Sequence, residues 1–191
     1  MSQISIRRCL SGVNAPGEAV YDTETREAAP GFEAVFYAHQ HRITRVITRV
    51  IRDPGRAEEV AVEVFWKFWR TPKAHGPQAA GWLHRTAVRM SLNELRRQIR
   101  ASRNEGLSST TPDPPDPEQL LAVSQEQSHV RTVLASIRSR DAELLLLRSS
   151  GLSYDELATA LELNAASVGK LLNRAQQSFR KEYVKRYGEK Q

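Results

Sequence analysis

The sequence predicts an all-α protein of two small helical domains joined by a flexible acidic linker. Helical spacing of apolar residues recurs three times between residues 31 and 103, and no strand pattern interrupts it. Residues 104–129 are acidic and rich in Pro, Ser and Thr, a composition that cannot bury a core. Residues 130–187 then carry two short amphipathic segments back to back, the outline of a helix-turn-helix. Residues 1–30 are predicted to be a flexible leader.

The first domain is predicted to begin with two helices. In the first, Arg42 to Arg52, three-then-four apolar spacing outweighs a β-branched composition that would suit a strand. Asp53-Pro54-Gly55 then ends this helix, because proline disfavours a helical residue before it. The second helix is expected from Arg56 to Arg70, with Glu58 and Glu59 in its first turn, where the helix dipole favours negative charge. Its predicted buried face is Val60, Val64, Phe65 and Phe68, which leaves Trp66 and Trp69 outside.

A third helix is predicted over residues 79–101, and its outer face is strongly basic. Its inner side would be Trp82, Leu83, Thr86, Ala87, Met90 and Leu95. The outer face, which we call the basic ridge, comprises Arg85, Arg89, Asn93, Arg96, Arg97 and Arg100. Glu94 is the only acid in this segment, so pairing within the helix cannot balance the ridge. A phosphate-facing surface is therefore favoured over an ordinary solvated face.

The helix-turn-helix prediction depends on residues 153–175. Ser153 and Glu156 have the spacing of a capping box, and Asn164 is a good N-cap for the second helix. Glu162-Leu163-Asn164 forms the short turn. The expected buried residues are Leu157, Ala158 and Leu161 in the first helix and Val168, Leu171 and Leu172 in the second. An ordinary helical hairpin within a larger bundle is the alternative interpretation.

The second of these helices has the chemistry of a DNA recognition helix. Its predicted DNA-binding residues are Ala166, Ser167, Lys170, Asn173, Arg174, Gln177 and Arg180. Small residues near its start allow close approach to a groove, and a helix N-terminus suits a phosphate. Lys170 and Arg174 can donate to guanine or phosphate, and Asn173 can pair with adenine. Arg180 is expected to contact the DNA backbone.

Composition limits the classes of function. A net charge of +6 and a pI near 9.8 suggest a polyanionic partner. No apolar run approaches the roughly 20 residues of a membrane span, and the N-terminus lacks the hydrophobic stretch of a secretory signal. The single cysteine, Cys9, fits a reducing cytoplasm. Scattered histidines and the absence of P-loop, nucleophile-elbow or zinc-protease motifs predict no enzyme activity, no metal and no cofactor.

Four segments, in this order, resemble the small two-domain sigma factors of bacteria, the extracytoplasmic-function group. They are FEAVFYAHQHRI, DPGRAEEVAVEVFWKFW, GWLHRTAVRMSLNELRR and LASIRSRDAELLLLRSSGLSYDELATALELNAASVGKLLNRA. These look like the family's conserved regions 2 and 4, over about 31–103 and 130–187. The resemblance implies a promoter-specificity subunit that binds core RNA polymerase and promoter DNA and is held inactive by an anti-sigma factor. We expect a cytoplasmic, nucleoid-associated protein, monomeric when free.

The resemblance also implies roles for particular residues. The second helix would bind the polymerase through a set that we call the acidic edge: Glu58, Glu59, Val62, Glu63 and Trp66. The basic ridge of the third helix would bind the −10 promoter element, and the helix-turn-helix would bind the −35 element. The acidic linker would lie in the RNA-exit channel region.

Several positions depart from the family pattern. Val62 stands where a glutamine usually contacts the polymerase, and Val88-Arg89 replaces an Arg-Asn pair. Asn93 replaces an aspartate, and the usual Lys-Ser-Arg of the recognition helix reads Gly169-Lys170-Leu171. Glu162 occupies the glycine position of the turn, where a positive φ should cost about 1 kcal/mol.

Two alternative functions remain open from the sequence. A stand-alone helix-turn-helix regulator would have kept the fold but lost polymerase contact, and Val62 favours this interpretation. A protein-interaction module would instead use Trp66 and Trp69 as its anchors.

Overall fold

The computed structural model describes residues 31–104 and 117–188, which form α-helices joined by short turns and contain no strand. The all-α prediction is confirmed. The leader at 1–30 and residues 105–116 of the predicted linker lie outside the described residues. None of the described helices is long and apolar enough to cross a membrane. In chain order the helices are α1 (Phe32–Ile51), α2 (Pro54–Trp69), a 3-10 turn (Pro72–Ala74), α3 (Ala79–Asn104), α4 (Pro117–Ser136), α5 (Ser139–Ser149), α6 (Tyr154–Leu161) and α7 (Ala165–Tyr187).

Helices α1, α2 and α3 pack around an apolar core at the predicted spacing. The four α2 residues predicted to be buried are all 3% exposed or less, whereas Trp66 and Trp69 are each 53% exposed. Phe68 lies at the centre, with ring centroids 4.6 Å from His75, 5.8 Å from Trp82 and 6.5 Å from Phe32. The spacing of apolar residues therefore predicted the buried face of α2 correctly.

The ends of the first two helices differ from the prediction. Helix α1 begins at Phe32 rather than Arg42 and ends at Ile51, followed by Arg52 in the left-handed conformation. Helix α2 begins at Pro54, because Asp53 caps it by accepting the Arg56 N–H at 3.0 Å, and proline suits the first helical position. The predicted placement of Glu58 and Glu59 in the first turn of α2 is therefore wrong.

The helix-turn-helix forms as its capping residues predict. The Ser153 hydroxyl accepts the Glu156 N–H at 3.2 Å, and the Glu156 carboxylate accepts the Ser153 N–H at 2.6 Å. Asn164 caps α7 by accepting the Ala166 N–H at 3.0 Å. The buried residues include Leu157, Ala158 and Leu161 of α6 and Val168 and Leu172 of α7, whereas Leu171 is half-buried.

The turn of this motif is strained at Glu162, which has φ 53° and ψ 52°. We expect Glu162→Gly to raise the free energy of unfolding by about 1 kcal/mol at high ionic strength, because glycine accepts this conformation and salt screens the lost charge. Urea unfolding measures the change. Glu162→Gln is the matched control, since it removes the charge but keeps the strain and should give no gain. An equal gain in both variants would contradict the role of backbone strain.

The two predicted domains pack against each other through a common apolar core. Val46 of α1 and Val88 and Leu92 of α3 belong to the same buried cluster as the apolar residues of α4 to α7. Helix α4 begins at Pro117, so the C-terminal part of the segment predicted to be a flexible linker is helical. The domain boundaries themselves stay predictions.

Candidate nucleic-acid interface

Helix α7 presents a continuous polar face opposite its buried residues. Val168, Leu172 and Ala175 face the core, and this fixes the rotation of the helix. All seven predicted DNA-binding residues of the recognition helix are exposed: Ala166, Ser167, Lys170, Asn173, Arg174, Gln177 and Arg180. The first of them, Ala166 and Ser167, lie in the first turn of the helix, where the positive end of the helix dipole favours a phosphate. The residues predicted to contact the groove and the DNA backbone thus lie on one accessible surface.

Two further side chains lie beside this face and had not been predicted. The Tyr154 ring lies against Gly169, where an added Cβ would be 3.6 Å from the ring. The Arg148 guanidinium lies over the same ring, 5.4 Å from its centroid, in a cation–π arrangement. Tyr154 remains 48% exposed. No local spacing signals this group, because its members come from three different helices.

Two arginines of the basic ridge form ion pairs with the second domain. Arg85 Nη1 lies 2.8 Å from Glu162 Oε1, and Arg89 Nε lies 3.3 Å from Glu143 Oε1. Glu143 is buried, and burial raises the pKa of its carboxyl although Arg89 opposes that shift. A carboxylate that loses this much hydration gains little net stability from its partner.

Arg96 of the ridge is bound even more closely to the second domain. Its Nε and Nη2 donate to the carbonyls of Ala135 and Ile137 at 3.0 Å and 3.4 Å, and Nη1 donates to the Ser139 hydroxyl at 2.9 Å. These acceptors lie at the junction between α4 and α5. Arg96 therefore holds the end of one helix and the start of the next.

The remaining ridge residues, Asn93, Arg97 and Arg100, are exposed. Arg97 also pairs with Glu94 at 3.0 Å. The expectation that no acid balances the ridge was correct within α3 but wrong for the folded chain, because Glu143 and Glu162 of the second domain supply carboxylates. Half of the ridge is thus used for contact between the domains in this arrangement.

Glu94 joins α2 to α3 and should make stability depend on pH. Burial raises the pKa of its carboxyl, but hydrogen bonds from Arg56 and Arg97 outweigh burial and leave the pKa below its usual value. The stabilisation is therefore present above the ordinary carboxyl pKa and is lost as pH falls through the folded-state value.

We accordingly expect Glu94→Gln to lower the free energy of unfolding by about 1–3 kcal/mol at neutral pH, with the difference from the parent shrinking in acid. Urea unfolding across that pH range measures it. Glu63→Gln, at an exposed residue 3.7 Å from Lys67, serves as the control and should show little change. A pH-independent difference for Glu94→Gln would contradict the proposed ionic cause.

The acidic edge forms an exposed strip on α2, and all five of its residues are exposed. Glu59 pairs with Arg56, and Glu63 lies 3.7 Å from Lys67. Trp66 lies 5.1 Å from Trp69, measured between ring centroids, so the strip ends in an exposed aromatic pair. The structure brings the predicted residues together on a surface of carboxylates beside a large apolar patch. No group of His, Cys, Asp and Glu residues in the described part of the chain could hold a metal ion.

Comparison with known proteins shows that this chain is similar to bacterial sigma factors. Residues 35–101 match the family model of sigma-70 region 2, which here runs from α1 to α3 and contains both the acidic edge and the basic ridge. The chain is 27% identical over 170 residues to the ECF RNA polymerase sigma factor SigE of Mycolicibacterium smegmatis. It is 28% identical over 163 residues to the ECF RNA polymerase sigma factor SigK of Mycolicibacterium vanbaalenii. The region 2 match and these relatives together support an ECF-type sigma factor.

The similarity extends well beyond the residues that match region 2. The SigE match covers 86% of the chain and 66% of SigE, and the SigK match covers 82% of the chain and 83% of SigK. A match to the RNA polymerase sigma factor YlaC of Bacillus subtilis is 32% identical over 110 residues and covers 54% of the chain and 62% of YlaC. The SigE and SigK matches are long enough to include helices of both predicted domains.

Proposed function

We propose that this sigma factor binds core RNA polymerase, recognises −10 and −35 promoter elements and promotes transcription initiation. The exposed polar face of α7 carries the proposal, because α7 is the second helix of a capped helix-turn-helix, the position of a DNA recognition helix. Lys170, Asn173 and Arg174 lie on this face and would read or hold the −35 element.

The basic ridge of α3 would contact the −10 element. Asn93, Arg97 and Arg100 are accessible in the structure, whereas Arg85, Arg89 and Arg96 contact the second domain. Full use of the ridge would therefore require the domains to separate. The contacts that the ridge arginines give up are polar or ionic and would be exchanged for phosphate contacts, whereas separation also exposes the apolar core that the domains share.

The acidic edge would bind the polymerase, and an anti-sigma factor would compete for one or more of these surfaces. Exposed carboxylates would pair with cationic groups on the polymerase, and Trp66 would be the apolar anchor. Trp66→Ala should then weaken polymerase binding. Tyr37→Ala is the matched control, since Tyr37 is an exposed aromatic residue on α1, outside the acidic edge.

The direct test is to mix the purified chain with core RNA polymerase lacking any sigma subunit and to follow comigration by gel filtration. A stable one-to-one complex that Trp66→Ala weakens supports the proposal. The absence of a complex at micromolar concentration, with DNA binding intact, would overturn it and favour the stand-alone regulator. Val62, an exposed apolar residue in place of the usual glutamine, is the observation that keeps this second candidate open.

Recognition by α7 predicts a measurable loss of DNA affinity. We expect Lys170→Ala combined with Arg174→Ala to weaken binding to a preferred −35 sequence by about a hundredfold, because each lost groove contact costs about 1–3 kcal/mol. Fluorescence anisotropy with a labelled duplex measures the change. Lys185→Ala combined with Arg186→Ala, in the last turn of the same helix, is the charge-matched control, since it also removes one lysine and one arginine. Equal losses in both proteins would indicate only general electrostatic attraction.

A further inference from the structure

A cleft of about 680 Å³ lies between α1 of the first domain and α4 of the second. None of its lining residues belongs to the recognition helix, the basic ridge or the acidic edge. Val50, Val130, Leu134 and Leu146 contribute an apolar wall, and arginines from both helices contribute a charged one. The volume lies within the range of small-molecule sites.

The charges around this cleft are unbalanced. Arg45, Arg49, Arg52 and Arg131 line it, and Glu126 is the only carboxylate among the lining residues that the structure describes. Arg45, Arg49 and Arg52 are exposed and form no ion pair with a described carboxylate, and Arg45 instead has His41 Nε2 within 2.9 Å. Four like charges around one concave surface repel one another and attract an anion.

Arg131 is held in place from the second domain. Its Nη2 donates to the Ile51 carbonyl at 3.2 Å and so caps the C-terminus of α1. Its Nε is buried and has no hydrogen-bond acceptor among the described residues. Burial, together with the charge of Arg52, lowers the pKa of the Arg131 guanidinium. An anion in the cleft would compensate both the crowded charge and the lost hydration.

The end of α1 fixes Arg52 in an unusual conformation. Arg52 has φ 61°, and its N–H donates to the Thr48 carbonyl at 2.9 Å. A non-glycine residue in the left-handed region is uncommon. Arg45, Arg49 and Arg52 follow one side of the helix end over about 10 Å, given a rise of 1.5 Å per residue. This length suits a chain of linked phosphate groups better than a single monovalent anion.

We infer that the cleft between α1 and α4 binds a polyphosphate-bearing small molecule of nucleotide size, held by Arg45, Arg49 and Arg52 of one domain and Arg131 of the other. The arginines receive the phosphates, and the apolar wall of Val50, Val130 and Leu134 receives an uncharged ring. The inference does not depend on the proposed function in transcription.

A ligand bound in this way would couple the two domains. Because its contacts come from both sides of the cleft, it binds the packed arrangement better than a separated one and stabilises that arrangement by the same free energy. If the domains separate on promoter binding, as proposed above, the ligand would oppose that step.

The test is isothermal titration of the full chain with ATP and, separately, with inorganic pyrophosphate at physiological ionic strength. We expect binding of ATP that weakens about tenfold or more in Arg49→Gln and again in Arg131→Gln, because each loses a charge-assisted hydrogen bond. Arg42→Gln is the matched control, since Arg42 is an exposed arginine of the same helix that does not line the cleft. Circular dichroism melting of each variant excludes unfolding as the cause, and ATP should raise the melting temperature of the parent protein.

Each outcome is decisive. Tight ATP and weak pyrophosphate binding supports the inference, whereas equal binding of both would overturn the role that it assigns to the apolar wall. No binding of either compound would overturn it altogether. If Arg42→Gln weakened ATP binding as much as Arg49→Gln and Arg131→Gln do, the weakening would reflect only the loss of positive charge, and the inference would be overturned. Binding of a single-stranded oligonucleotide that depends on Arg49 and Arg131, with no binding of ATP or pyrophosphate, would also overturn it, because the cleft would then be part of a nucleic-acid surface.

Discussion

Replacing Phe68 by alanine is expected to lower the free energy of unfolding by about 3–5 kcal/mol, the largest loss of stability that we predict for a single substitution. Phe68 is 1% exposed and packs against Phe32, His75 and Trp82. These partners come from α1, α3 and the turn after α2, so the cavity cannot be closed by movement of one helix. The cost therefore includes both the lost burial and the cavity that remains.

Urea unfolding followed by circular dichroism measures this loss. Trp69→Ala is the control, because Trp69 is a large aromatic residue on the same helix but is 53% exposed. That change should stay within about 0.5 kcal/mol. A small effect of Phe68→Ala would contradict this prediction, because it would show that the first domain repacks to fill the cavity left by the Phe68 ring.

Gly81→Val is expected to separate the two domains while leaving each one folded. A Cβ added at Gly81 would lie 3.3 Å from the Cα and 3.4 Å from the Cβ of Ala160, so α3 and α6 touch almost backbone to backbone. Valine adds two further methyl groups that this contact cannot accept, and overpacking of this kind costs about 1–3 kcal/mol. Because the contact joins the domains, separating them relieves the clash.

Small-angle scattering should show a larger radius of gyration for Gly81→Val, with helix content retained by circular dichroism. Gly55→Val is the matched control, since a Cβ at Gly55 would have only the Asp53 carboxylate nearby, at 3.6 Å. If the proposed −10 role of the basic ridge is correct, Gly81→Val should also bind promoter DNA more tightly, because Arg85, Arg89 and Arg96 are released. An unchanged radius of gyration would mean that α3 and α6 adjust locally and remain in contact.

Local sequence determined much of the helical structure. Apolar spacing identified the buried face of α2, and Ser153, Glu156 and Asn164 identified both capped starts of the helix-turn-helix. Apolar spacing also identified the exposed face of α7, because a helix that buries Val168 and Leu172 must turn Lys170 and Arg174 outward. The start of α2 was misplaced because Asp53-Pro54 can end one helix and begin the next, and only the packing shows that it does both.

Sequence alone thus determined the all-α class, the helix-turn-helix and the rotation of its recognition helix, because capping and amphipathic spacing act between residues a few positions apart. Tertiary structure alone decided that Arg85, Arg89 and Arg96 face acceptors on the second domain, and that Arg131 joins the α1 arginines around one cleft. Those contacts join residues 39 to 80 positions apart. Their energies depend on burial and on the position of a distant charge, which no periodicity along the chain records.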